Sequence, residues 1–400
     1  MDQRFRKLFN SQFTPAIYEQ YVRELSRRLD SNFEFRLAET PLFLPDDFKQ
    51  KATESANAIV EQLSDPALIE RMKAAIPERW NTPGMDALPN LAQVDFAVVR
   101  DENGNLVPKL IELQGFPSLT SMQIVQRDVW RETIAQMDGL DIAWSCWYSG
   151  YDRDAFLDLA RRTIVGANDP AEVILMDIDP PRQKTYPDFV ATKLLFGVDA
   201  VDPTSLVKRG RQLFRADGTP VRRIYNRVVF DELIQKGIEL PFDYREELDV
   251  QWAPHPNWYW VWSKYSLPFL RHESVPRATF LSDLETIPDD LSGYVLKPLF
   301  SFAGGGVNVE PTRADVDAIP AGERHAWCLQ EKIEYEPALQ AVDGGGVKIE
   351  IRMMFLRPDD EPKPILAQNL VRLSRGKMLG VDFNKQFTWV GSTVALSIDS

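Results

Sequence analysis

The residues best suited to chemistry begin at 293–309, Gly-Tyr-Val-Leu-Lys-Pro-Leu-Phe-Ser-Phe-Ala-Gly-Gly-Gly-Val-Asn-Val. Lys297 follows a strand-like run and precedes three consecutive glycines, Gly304, Gly305 and Gly306. On a strand, Lys297 points to the face opposite Leu296. Glycines lack a Cβ, so their backbone N–H groups can approach an anion closely. A lysine beside such a loop suits a nucleotide polyphosphate. A glycine-turned hairpin with a surface lysine fits the same residues.

A second constellation lies at 95–114: Asp-Phe-Ala-Val-Val-Arg, Asp-Glu-Asn-Gly-Asn, then Leu-Val-Pro-Lys-Leu-Ile-Glu-Leu-Gln. Asn103-Gly104 is a strong hairpin signal. With those two residues as the turn, opposite partners have numbers summing to 207, and Asp95 faces Glu112. Like charges facing each other across a ladder repel. A divalent cation resolves that repulsion, and hard oxygen ligands suit Mg²⁺. Gln114 lies on the same face and adds a neutral oxygen. A solvated hairpin, or a register slipped by a bulge, is the other reading.

Further cations stand in patterned surroundings. Lys264 sits within the aromatic segment 256–270, whose rings read as core or interface packing. Lys348, Glu350 and Arg352 alternate with Ile349, Ile351 and Met353, giving one polar and one apolar strand face. Arg372 follows on a late strand. Arg227 reads as an anion clamp or as a solvated strand end.

These residues need elements to position them. Residues 1–90 read as helical, with breaks at Asp65-Pro66 and Pro83-Gly84. Strand-like 142–148, helical 152–165, strand-like 173–178 and helical 186–196 form a βαβα order, the pattern of a small doubly wound sheet.

Four hundred residues allow two or three domains. A net charge of −13 argues against a nucleic-acid backbone as partner. No stretch reaches the length of a membrane span, and no apolar leader follows Met1. Cys146 and Cys328 form no disulfide framework, so a reducing cytoplasm is expected. His255, His272 and His325 show no zinc spacing, which argues against His-based hydrolase chemistry. The P-loop pattern is absent. A kinase would place its glycines before the lysine, with H-R-D and D-F-G following.

Several stretches, taken in order, resemble the ATP-grasp superfamily, specifically its circularly permuted branch of glutathionylspermidine synthase-like ligases. They are Val94-Asp95-Phe96, Ile111-Glu-Leu-Gln, Trp262-Ser-Lys264, Val295-Leu-Lys-Pro-Leu with its glycine loop, Leu329-Gln-Glu, Val371-Arg372 and Phe387-Thr-Trp-Val. The resemblance runs from about residue 94 to the end and leaves 1–90 uncovered. It implies an α+β, circularly permuted ATP-grasp fold with a helical N-terminal region and a small doubly wound pre-ATP-grasp α/β domain. The implied boundaries are 1–90 for the helical region and 91–140 for the metal-ligand hairpin and helix. The α/β domain would take 141–250, the nucleotide lobe with glycine lid 251–335, and the C-terminal sheet lobe 336–400.

Carried over by position, the resemblance makes Asp95, Glu112 and Gln114 the Mg²⁺ ligands. Lys264 and Lys297 would contact the ATP phosphates under a lid containing Phe302, Ala303, Gly304, Gly305 and Gly306. Gln330 and Glu331, with the backbone of Lys332 and Ile333, would border adenine and ribose. Arg372 would face the transferring phosphoryl group. Two positions depart from the family. Gln114 stands where Asn is usual, and Gln93 stands where Arg is frequent, so Arg352 or Arg227 would have to supply that clamp. Lys297, Arg352 and Arg372 are the expected catalytic residues. The implied activity joins a small-molecule or peptide carboxylate to an amine through an acylphosphate, using ATP and Mg²⁺. A nucleotide-binding module without ligase activity, or a phosphotransferase acting on a hydroxyl, would share most of this site.

Overall fold

The computed structural model describes residues 1–300, 305–376, 384 and 386–398. Four helices open the chain: α1 (Gln3–Gln12), α2 (Pro15–Leu29), α3 (Asp46–Leu63) and α4 (Pro66–Met72). In α3, Phe48, Ala52, Ala56, Ile59 and Leu63 recur every three or four residues and are all buried. Asp65 starts α4 by accepting the Leu68 N–H at 2.8 Å, with Pro66 in the first turn, where its missing N–H costs nothing.

The next elements are β1 (Leu91–Arg100), β2 (Leu106–Gln114), α5 (Met122–Ile134), α6 (Arg153–Ile164), β3 (Val173–Met176), α7 (Tyr186–Phe196), β4 (Asp199–Val201), β5 (Arg223–Asn226) and β6 (Gln251–Ala253). Then come β7 (Ala278–Phe280), β8 (Tyr294–Pro298), β9 (Trp327–Glu331), β10 (Gly346–Leu356), β11 (Ile365–Ser374) and β12 (Gly391–Thr393). The chain is a mixed α+β protein with several sheets. Its central sheet is antiparallel in the order β12-β11-β10-β1-β2. A parallel sheet runs β6-β5-β3-β4, with its strand order reversing at β3. A third sheet, β7-β9-β8, is antiparallel.

Two local expectations change. Residues 142–148 do not join the parallel sheet. Trp144–Ser145 pairs instead with Ala395–Ile398, whose other edge pairs with Leu42–Phe43. The last parallel strand, β6, begins at Gln251, one residue past the expected end of the α/β segment.

The opening helices are not an appendage. Phe9, Tyr21, Leu25 and Ile59 share one core with Phe96, Ile351 and Val371 of the central sheet. Tyr21 stacks on Trp130 of α5 at 3.9 Å between ring centroids. Fully buried rings of this kind contribute about 1.5–3 kcal/mol each. Trp258 and Trp262 are also buried, so the aromatic segment is core packing. Among the described residues no helix is long and apolar enough to cross a membrane.

Candidate active site

The hairpin β1–β2 places the first two carboxylates. Its loop has five residues, not two. Asp101 accepts the N–H groups of Asn103 and Asn105 at 2.9 and 2.8 Å, so Arg100 pairs with Leu106. Partner numbers near the loop therefore sum to 206. Ile111 then falls at a register shift with no ladder partner, and Asp95 pairs with Glu112 as expected. The pairing arises from a longer loop and a compensating bulge.

The neighbouring strands supply the countercharge. Arg352 of β10 is the register partner of Asp95, and Glu350 is the partner of Arg372 on β11. Arg352 grips Asp95 with two bonds, Nε to Oδ1 and Nη2 to Oδ2, both 2.6 Å. Arg372 donates to Asp95 Oδ2 at 2.6 Å and pairs with Glu350. Tyr335 donates its hydroxyl to Glu350 at 3.2 Å. Burial pushes the Glu350 carboxyl upward, opposed by Arg372 and reinforced by Asp95. Burial works against the Arg372 charge, yet Glu350, Asp95 and Glu112 together hold its pKa above the ordinary arginine value.

Asp95 was expected to hold Mg²⁺; here two arginines bind it. Three N–H groups reach its oxygens, so the arginines offset the carboxylate crowding at Asp95. Glu112 and Gln114 differ. Both line a cavity, and the Glu112 carboxylate has no ion pair or hydrogen bond among the described residues. No group of three His, Cys, Asp or Glu side chains able to hold a metal occurs among the described residues. One carboxylate and one amide oxygen still fit Mg²⁺, which takes few protein ligands and fills its octahedron with water and phosphate.

Lys297 reaches the hairpin from the third sheet. Its ammonium donates to the carbonyl of Ile111 at 3.0 Å, the residue that the register shift leaves without a ladder partner. Burial lowers the Lys297 pKa; Cys328 and Glu112 oppose that, and Lys264 adds to it. Lys264 opens a 3₁₀ turn, Lys264–Phe269, and lines the cavity. The two lysines thus come to one locality.

Strand alternation sorts the remaining expected residues. Lys297 pairs with Cys328 and Val295 with Gln330, so Gln330 shares the Lys297 face. Gln330 is 1% exposed, and its amide nitrogen has no partner among the described residues. Glu331 pairs with Tyr294 and falls on the opposite face, where its carboxylate accepts the Arg277 N–H at 2.9 Å. It does not share a wall with Lys297. The Lys332 N–H is used by the Gly293 carbonyl, and Ile333 is half-buried beyond the strand. Phe302, Ala303 and Gly304 lie outside the described residues. Gly305 and Gly306 are exposed, and Asn308 pairs back on Leu296, closing the expected hairpin. Arg227 does not reach the cavity wall. It binds Asp188, which accepts the Ser121 and Met122 N–H groups at the start of α5.

The cavity encloses about 550 Å³. Glu112, Gln114, Lys264, Arg352 and Arg372 meet along it, with Phe116, Trp262 and Phe300 among its apolar lining. Sequence reasoning missed Tyr335 and the capping carboxylate of Asp188. Neither carries a local signal, because each acts on an element distant in sequence. It also assigned no task to Gln93. That amide donates to the Ser118 carbonyl at 3.2 Å and so holds the loop leaving β2, whose Phe116, Ser118 and Leu119 line the cavity.

No family model matches the chain, and no curated protein matches it in sequence. Among solved structures it is similar to a glutathione synthetase-like effector from Globodera pallida in apo form. The TM-score is 0.59 at 12% identity, over 97% of this chain and 100% of that one. The likeness is one of fold.

Proposed function

We propose that the protein is an ATP-dependent carboxylate–amine ligase of ATP-grasp type, in the circularly permuted, glutathionylspermidine synthase-like branch. One observation carries this reading: Lys264, Lys297, Arg352 and Arg372 from four elements converge beside Glu112 and Gln114. The shared fold with a glutathione synthetase-like protein supports it.

In this reading Lys264 and Lys297 bind the triphosphate. Arg372 orients the substrate carboxylate, while Asp95 and Glu350 fix its guanidinium and keep it charged. One carboxylate oxygen attacks the γ-phosphorus, the bond to ADP breaks, and an acylphosphate forms. An amine then attacks the acyl carbon, phosphate leaves with the C–O bond pair, and the amine proton passes to solvent. Arg352 and Arg372 offset negative charge gathering on the transferring oxygens. Phe116, Trp262 and Phe300 restrict water that would hydrolyse the acylphosphate. Bound Mg²⁺, held by Glu112 and Gln114, would neutralise phosphate charge.

The test is ADP release with Mg²⁺-ATP across dipeptides, glutathione, amino acids and polyamines. Hydroxylamine should trap an acyl hydroxamate. Tight nucleotide binding with no ADP release from any pool would favour a binding module instead.

A further inference from the structure

One wall of the cavity is not used by the reaction above. Ser392 of β12 is the register partner of Arg372 and also lines the cavity. It is 7% exposed, and its hydroxyl has no partner among the described residues. A buried, unpartnered hydroxyl on a cavity wall carries a desolvation cost that a ligand can relieve. On the other side of Ser392 runs the segment holding Arg36. The Ser392 N–H donates to the Arg36 carbonyl at 2.9 Å, and Leu37 bridges to Ser392. Gly391 permits this approach, because a Cβ there would collide with the Arg36 carbonyl.

Arg36 lines the same cavity. Its Nη2 binds Glu39, but its Nε has no partner among the described residues. Lys184 also lines the cavity, is exposed, and makes no ion pair among the described residues. Among the described residues, Arg36, Lys184, Lys264, Arg352 and Arg372 line the cavity with Glu34 and Glu112, while Glu39, Asp95 and Glu350 pair with Arg36, Arg352 and Arg372 behind it. Lys184 brings a positive charge that no carboxylate pairs with among the described residues, and an anion can answer it.

We propose that the activated substrate carries a second anionic group, received by Arg36, Ser392 and Lys184 beside Arg372. This rests on the ligase reading and names its substrate class. Neighbouring strands stand about 4.8 Å apart. A short-chain dicarboxylic acid is the simplest compound that presents two anionic groups to neighbouring strands. The apolar remainder of the lining takes the rest of the molecule.

Glutarate, its monomethyl ester and 4-phosphonobutyrate test the idea, with hydroxylamine as the amine. Glutarate or the phosphonate should show a KM about tenfold or more below that of the ester, the scale of one hydrogen-bonded charge. Whichever of the two is favoured identifies the group. Ser392→Ala and Lys184→Ala should each narrow that gap. If no acid releases ADP, calorimetry with the same three probes and a non-hydrolysable ATP analogue decides. Tighter diacid or phosphonate binding then keeps the subsite and overturns the ligase reading. An ester that performs as well as both diacids in either measurement, or a failure of all three to bind, overturns the subsite.

Discussion

The ammonium of Lys297 lies 3.0 Å from the carbonyl oxygen of Ile111, the residue that a bulge leaves without a partner in the β1–β2 ladder. One irregularity in one sheet thus docks a cation from another. The bulge also brings Asp95 opposite Glu112, so the same extra residue sets both the acid pair and the nearby base.

Replacing Lys297 tests whether that cation acts in the reaction. Lys297→Ala should lower turnover by about 10² or more, because a preorganised charge near transferring oxygens is worth that much. ADP release measures it. Near-normal turnover would remove Lys297 from the mechanism.

Asp95 distinguishes an ion-pair anchor from a metal ligand. Arg352 and Asp95 are 5% and 0% exposed at their side chains. Asp95→Asn should cost about 3–5 kcal/mol in urea unfolding without any metal, since it leaves buried guanidinium charge uncompensated. A residue serving only to hold a cation would, as Asn, leave the metal-free protein equally stable or more so.

Glu112 should behave in the opposite way. Its carboxylate has no ion-pair or hydrogen-bond partner among the described residues, so Glu112→Gln should change unfolding stability little. It should raise the Mg²⁺ concentration for half-maximal ADP release by at least about tenfold, the scale seen even for outer-sphere contacts. A magnesium titration of both proteins decides.

His255 predicts a stability change on acidification. The ring is 3% exposed, Nε2 lies 3.1 Å from the Pro83 carbonyl, and Nδ1 accepts the Asn257 N–H. Burial lowers its pKa from 6.5 to about 4. The folded state therefore prefers the neutral ring. Its contribution is fully present above about pH 6.5 and is lost as pH falls from there through about 4. The full loss should be on the order of 3 kcal/mol. Unfolding at pH 7 and pH 4.5 should show it, and His255→Gln should flatten that part of the profile.

Gly115 ends the hairpin against the aromatic core. A Cβ there would meet the Trp258 carbonyl at 2.8 Å, and the Gly115 N–H donates to the Trp262 carbonyl at 2.6 Å. Gly115→Ala should destabilise by about 1–3 kcal/mol through overpacking. It should also weaken ATP binding, because Gln114 is the adjacent residue. Unfolding and nucleotide calorimetry together check this.

The parts of the fold legible in the sequence were those with a short-range signature. Alternation along 347–356 already put Glu350 and Arg352 on one face, and the hairpin arithmetic already set Asp95 against Glu112. What escaped was the partner across the sheet. Nothing local to Asp95 says that residues 352 and 372 lie beside it. The loop length escaped because Asp101 captures two backbone N–H groups that a two-residue turn would not offer. Glu331 escaped for a smaller reason: neighbours in a strand point to opposite sides, so it and Gln330 cannot share one wall.

The central sheet joins residues 91–97 to residues 350–356. A growing polypeptide carries Asp95 long before Arg352 has been synthesised, and the acid waits without its countercharge. Contacts so remote along the chain make assembly slow. A product truncated before β10 would expose an apolar strand and an unmatched carboxylate together, which makes it a natural client for chaperones and proteases.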